Sequence, residues 1–218
     1  TEQEANAINI KKIYQFTKSN IWQEMTEAQV VEREKPFYIN IPAQEIYEKY
    51  LESFFCTFTN VRSFYVEEKY MKIALEEAKK AYNKDEIPVG AVIIKNGEVV
   101  AKAYNLKETK QDTTNHAEIL AIKKASKKLG TWRLTDCEMY VTLEPCSMCA
   151  GALIQSRIKK VYIGAMDYKT GACGSILNLL EDYPCNHKVE VQTGVMQEEC
   201  EQIIKNFFKE LREKKKQI

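Results

Sequence analysis

The chain has 218 residues, with 32 Lys plus Arg against 31 Asp plus Glu, a formal net charge of +1 and 44% hydrophobic residues. That length and apolar content suit one packed domain with an appendage rather than a wholly disordered chain, and no apolar run approaches the ~18–20 residues that a membrane span needs. The balanced charge excludes a grossly basic nucleic-acid coat and leaves room for a local basic groove. Thr1 to Lys12 is polar, with acids at Glu2 and Glu4. A secretory signal has a basic start followed by an apolar stretch, so a cytoplasmic location is expected. Ile8 to Met25 has an amphipathic helical pattern through Ile10, Ile13, Phe16 and Ile21, Phe37 to Ile41 alternates like a short strand, and Ala43 to Phe54 again has helical spacing. None of these segments carries a chemical motif. Residues 1–65 are expected to be an extension, mainly helical, ahead of a domain over 66–218.

From Val66 onward the signals sharpen. Glu67 to Tyr82 places Met71, Ala74, Leu75, Ala78 and Tyr82 at helical spacing, with Glu76 and Lys80 four apart as a supporting pair. Pro88 and Gly90 break that pattern, and Val89 to Ile94 is β-branched and nearly all apolar, as in a buried strand. Asn96-Gly97 is a strong hairpin signal, which makes Glu98 to Tyr104 the returning strand. Thr113, Thr114 and Asn115 offer N-caps for a helix over His116 to Leu129 that Gly130 closes. Glu138 to Leu143 is a further strand, Pro145 suits a first helical turn, and a helix follows over Cys146 to Ser156. Lys160 to Gly164 is a strand, Val189 to Gln192 is the candidate fifth, and Met196 to Lys214 is a closing amphipathic helix. Alternating helices and strands predict an α/β/α sandwich, with helices on both faces of a mixed sheet that opens with a hairpin.

Seven cysteines are an odd number for a disulfide framework, and metal or catalytic thiols explain them better. Only Cys146 and Cys149 form a C-x-x-C pair. Three residues apart at a helix start, they offer two sulfurs to one point, where the positive end of the helix dipole favours thiolates. His116 stands at another helix start, and two thiolates with one imidazole suit zinc. Three protein ligands leave a fourth position for water, whose pKa zinc lowers from ~15.7 toward ~7. Glu118 is the proton carrier beside it. Each piece alone has a plainer reading: a C-x-x-C is a redox pair or coincidence, and a histidine at a helix start is a cap or surface residue. H-x-E followed about thirty residues later by P-C-x-x-C is far more specific, and is the signature of zinc nucleobase deaminases. The rival is a closed site with Cys185 or His187 as fourth ligand. Cys137, Cys173, Cys185 and Cys200 are read as free thiols.

Residues 67 to 218 resemble the bacterial tRNA adenosine deaminases of the cytidine deaminase superfamily. The resemblance rests on Tyr70 to Ala78, Ile87-Pro88-Val89-Gly90-Ala91-Val92, the Asn105 loop, Thr142-Leu143-Glu144-Pro145-Cys146, Asp167 to Ser175, Asn186-His187-Lys188, Cys200 and Phe207 to Arg212. It implies a cytidine deaminase-like three-layer sandwich with a five-stranded mixed sheet, a homodimer, and hydrolysis of the wobble adenosine of an arginine tRNA to inosine. By matching positions it implies that His116, Cys146 and Cys149 hold zinc and that Glu118 is the acid/base. Asn105 and the backbone of Ala117 would bind the adenine. Phe207 or Phe208 would stand near the anticodon loop, the other packing in the core, and Lys169, Arg157 and Lys214 to Lys216 are candidates for the tRNA backbone. The alternatives are a related zinc deaminase acting on a free base such as guanine or cytosine, and a zinc-stabilised RNA-binding module with a closed metal site. Residues 1–65 lie outside this family. Phe16 to Ser19, Arg33 to Phe37 and Ile41 to Tyr47 resemble part of the nuclease module of bacterial helicase–nucleases, ahead of its metal-binding acids, and imply no nuclease activity.

Overall fold

Side chains that alternate between two apolar layers build the centre of the molecule. In the computed structural model, residues 67–216 are described; the helices and strand expected before residue 66 lie outside them. Residues 67–82 form helix α1. Then come β1 (Gly90–Lys95), β2 (Glu98–Tyr104), the short α2 (Lys107–Lys110) and α3 (Ala117–Leu129). β3 (Cys137–Leu143), α4 (Ser147–Ser156), β4 (Lys160–Ala165), the short α5 (Leu179–Asp182), β5 (Glu190–Thr193) and α6 (Gln197–Lys216) complete the chain order.

The five strands lie in the order β2-β1-β3-β4-β5. β1 pairs antiparallel with both β2 and β3, whereas β3–β4 and β4–β5 are parallel, so the sheet is mixed. Period-two alternation divides each strand between two cores. Ala91, Ile93, Met139, Val141, Val161 and Ile163 pack with Ala117, Ala121 and Ala125 of α3 and Ala150, Leu153 and Ile154 of α4. Val92, Ile94, Tyr140 and Tyr162 face Tyr70, Met71, Ala74 and Leu75 of α1 and Cys200 and Ile203 of α6. The three-layer α/β/α sandwich is therefore as the sequence predicts. The hairpin forms at Asn96-Gly97, where φ values of 51° and 78° give the left-handed pair that a two-residue turn requires. On the other side of the sheet α1 meets β1 so closely that a Cβ on Gly90 would lie 2.0 Å from the carbonyl oxygen of Ala74 and 2.6 Å from the nitrogen of Ala78.

Two local expectations are corrected. Lys80 bonds Glu77 at 2.6 Å, not Glu76: the Glu77 side chain is nearly buried and its carboxylate is the one brought to the ammonium. The N-cap of α3 is His116 rather than Thr113, Thr114 or Asn115, because Thr114 is turned back onto Asp112 through both its N–H and its hydroxyl.

Candidate active site

Two helix N-termini meet at the C-terminal end of β3. His116 is the N-cap of α3 and Cys146 the N-cap of α4, both with extended backbone and neither with a side-chain capping bond. Their side chains are thus left to turn toward one another. Nδ1 of His116 lies 3.7 Å from Sγ of Cys146 and 3.6 Å from Sγ of Cys149. The three donor atoms lie within 4.8 Å of one another, and they form the one such group of three among the described residues. A tetrahedral ion ~2.3 Å from sulfur and ~2.0–2.1 Å from nitrogen holds N and S about 3.6 Å apart, so donor set and spacing both fit zinc.

The electrostatics point the same way. A hydrogen bond from Cys149, and a second from His116, pull the Cys146 thiol down to about 4. The bond to Cys146 and burial push the Cys149 thiol up. The hydrogen bond to Cys146 raises His116. Glu118, in the first turn of α3, is 4% exposed, and burial raises its carboxyl above the usual range. Ala117 is fully buried, and as the first residue of α3 its N–H has no partner within the helix.

Asn105 follows β2, with its backbone N–H bonded to the carbonyl of Val89 at 3.0 Å. The adjoining Leu106 N–H bonds the carbonyl of Asn115, which brings this segment beside His116. Glu86, fully buried, accepts hydrogen bonds from Asn105 Nδ2 at 3.4 Å and from the N–H groups of Glu108 and Thr109 at 3.1 and 2.5 Å. Glu86 carries no motif, and its one mark in the sequence is an acid closing an apolar helix just before Ile87-Pro88.

Glu144, just before Pro145, organises the loop after β4. Its carboxylate accepts from the N–H groups of Asp167, Cys173 and Ser175 at 2.9, 2.8 and 3.1 Å. Ala172 N–H bonds the carbonyl of Pro145, which ties the same loop to the ligand-bearing turn. Gly171 makes this possible, since a Cβ there would lie 2.3 Å from Oε2 of Glu144 and from Oγ of Ser175. Gly171→Ala should therefore loosen the loop and lower stability by about 1–3 kcal/mol, the cost of buried groups left unpaired. Urea unfolding measures it, and an unchanged midpoint would contradict the packing described.

The rival ligands stand elsewhere. His187 Nε2 bonds the carbonyl of Ile158 at 2.7 Å, and Cys185 Sγ bonds the carbonyl of His187 at 2.6 Å. Ile158 precedes β4, whereas the site lies past the end of β3, so these side chains are occupied at the opposite end of a parallel pair. Of the aromatic pair on α6, Phe207 is 6% exposed and packs edge-on against Tyr82. Phe208 is 38% exposed. Lys214 bonds Asp85 at 2.6 Å, which carries the end of α6 to the residue before Glu86. Lys169 is exposed on the loop that Glu144 holds, and Arg157 is bonded to Asn186.

A carboxylate buried beside a three-donor metal cradle, on a five-stranded α/β/α frame, defines a hydrolytic deaminase scaffold. The chain belongs to the MafB19-like deaminases, whose family model matches residues 66–212. It is 54% identical over 150 residues to the tRNA-specific adenosine deaminase of Bacillus subtilis (strain 168), an alignment that takes in 69% of this chain and 93% of that protein. It is 48% identical over 151 residues to the tRNA-specific adenosine deaminase of Haemophilus influenzae, covering 69% of this chain and 87% of that one. A solved structure from biochemical and structural studies of A-to-I editing at the wobble position of transfer RNA is 41% identical, with a TM-score of 0.60. It covers 62% of this chain and 98% of its own.

Proposed function

We propose that this protein converts adenosine to inosine by hydrolysis at the wobble position of a tRNA, an arginine tRNA being the substrate of choice, in the cytoplasm. The deaminase domain takes residues 66–218 and residues 1–65 form an extension to it. The observation that carries the reading is the meeting of His116 Nδ1 with both sulfurs at 3.6–3.7 Å beside the buried Glu118. His116, Cys146 and Cys149 hold zinc, which when bound supplies the Lewis acidity that makes water a nucleophile at neutral pH.

Glu118 moves the protons. Its carboxylate takes one from the attacking water and delivers it to N1 of adenine as oxygen adds to C6; it then takes the second from the new C6 hydroxyl and passes it to the amine as the C6–N bond breaks and the carbonyl forms. Water and adenosine go in, inosine and ammonia come out, and Glu118 ends as it began. Burial raises its carboxyl toward the operating pH, where a group that must both accept and donate is most effective. Asn105 and the N–H of Ala117 hold the base, Phe208 stacks beside the anticodon loop, and Lys169 with the basic end of α6 meets phosphates. Phe207 packs against Tyr82 and keeps α6 in place.

The active form is a homodimer. Tyr168, Ile176 and Leu177 are 75%, 55% and 51% exposed on the loop that Glu144 docks beside the ligands, and a second copy gives these apolar side chains cover. Cys146→Ala should lose both zinc and turnover, with metal content per chain as the readout; a variant that keeps its full zinc complement would contradict the ligand assignment. A single-turnover assay on an arginine anticodon stem-loop tests the whole reading. Inosine at the wobble base is expected. Ammonia from free guanine or cytosine alone would replace this reading with a free-base deaminase, and tight RNA binding without ammonia would replace it with a binding module.

A further inference from the structure

Oδ1 of Asn105 is the one buried side-chain nitrogen or oxygen among the described residues that has no hydrogen-bond partner. Asn105 is 6% exposed, so water is a poor substitute, and leaving such an acceptor unmet is unfavourable. The other end of the same amide is engaged by Glu86. Both ends of an amide look alike in shape, and only their partners decide which way it faces. Glu86 makes that choice: its carboxylate has only acceptors to offer, and two backbone donors already fix it from Glu108 and Thr109. The amide NH₂ must turn toward the carboxylate, which turns the carbonyl away from it.

We infer that Glu86 is a positioning residue that sets the hydrogen-bond polarity of Asn105, so that the base held there is selected for a donor at that point. The inference rests on the reading of Asn105 as a base contact. The hydrogen bonds of the Glu86 carboxylate run to Asn105, Glu108 and Thr109, so it works through the asparagine. Its own position is secured from three sides. It ends the turn after α1, with its N–H on the carbonyl of Ala81, it receives the first turn of α2, and the preceding Asp85 is tied to α6 through Lys214. An amide held this way presents an acceptor without paying to reorient on each binding event, which is how a polar site rejects a base edge of the wrong polarity.

Glu86→Gln tests this with almost no change of shape. Glutamine can offer either a carbonyl or an NH₂, so Asn105 is released to turn over. Competition between anticodon stem-loops carrying adenosine or guanosine at the wobble position reads the consequence. The wild type should prefer adenosine, and the preference should fall at least about tenfold in the variant, with KM for the adenosine stem-loop raised more than kcat is lowered. Zinc content should stay at the wild-type level, which a general collapse of the site would not allow. An unchanged preference in a variant that still binds zinc overturns the inference and leaves the proposed function intact; absence of inosine from the wild type overturns both. Should Glu86→Gln fail to fold, hydrogen exchange of the Asn105 side-chain amide in the wild-type protein decides the matter. Protected NH₂ protons support a fixed amide, and exchange at the rate of exposed asparagines overturns it.

Discussion

Glu118→Ala is expected to cut turnover on an anticodon stem-loop by at least about 10²–10⁴-fold, the usual contribution of a positioned acid/base, while leaving the zinc content unchanged. The two halves of that expectation have separate causes. In the proposed function metal is held by His116, Cys146 and Cys149, and the glutamate is not among the atoms that converge there. The same proposal gives proton transfer to Glu118, which sits two residues beyond the histidine in the first turn of α3, buried, with its carboxyl raised by that burial. Stopped single turnovers with inosine detection, paired with metal analysis of the same sample, check both halves. Turnover at the wild-type rate would remove Glu118 from the proton path, and loss of zinc would mean that it braces the ligands.

Gly90→Ala should lower folding stability by at least about 3 kcal/mol, the upper part of the range for forcing atoms into a packed interior. Most small-to-large changes are softened because a flexible side chain gives way. Here the nearest atoms are backbone, the carbonyl oxygen of Ala74 at 2.0 Å and the nitrogen of Ala78 at 2.6 Å. Relief would require α1 to lift from β1, opening the core built from Met71, Ala74 and Val92. Gly90 also donates its N–H to Thr142 Oγ1 at 3.1 Å, so the same movement would tug at β3 just before the ligand-bearing turn. The urea midpoint, and the zinc affinity of whatever remains folded, should both fall. A midpoint within experimental error of the wild type would show that the helix is free to shift.

The strands were legible because β-branched runs such as Val92-Ile93-Ile94 and the Asn96-Gly97 turn are local signals, and each strand was placed within about one residue of its observed ends. The four-residue helices Lys107–Lys110 and Leu179–Asp182 are too short to carry a period, and neither was anticipated. His116, Glu118, Cys146 and Cys149 could be read together because their spacing within each helix start is fixed by the backbone. Glu86 and Glu144 could not. Apart from the Asn105 amide, their partners are backbone N–H groups 22 to 31 residues away, and a backbone N–H leaves no mark in the letter of the residue that owns it. Phe207 and Phe208 are the same residue type side by side, and Phe207 is the one buried, edge-on against Tyr82.

Both caps that carry proposed ligands take up a position that a helix would rather give to serine, threonine, aspartate or asparagine, whose side chains typically add ~1 kcal/mol there. His116 and Cys146 make no such capping bond. A screen for heat resistance alone, run without any demand for chemistry, would accordingly drift toward oxygen-bearing residues at these two places and disarm the enzyme as it toughened it.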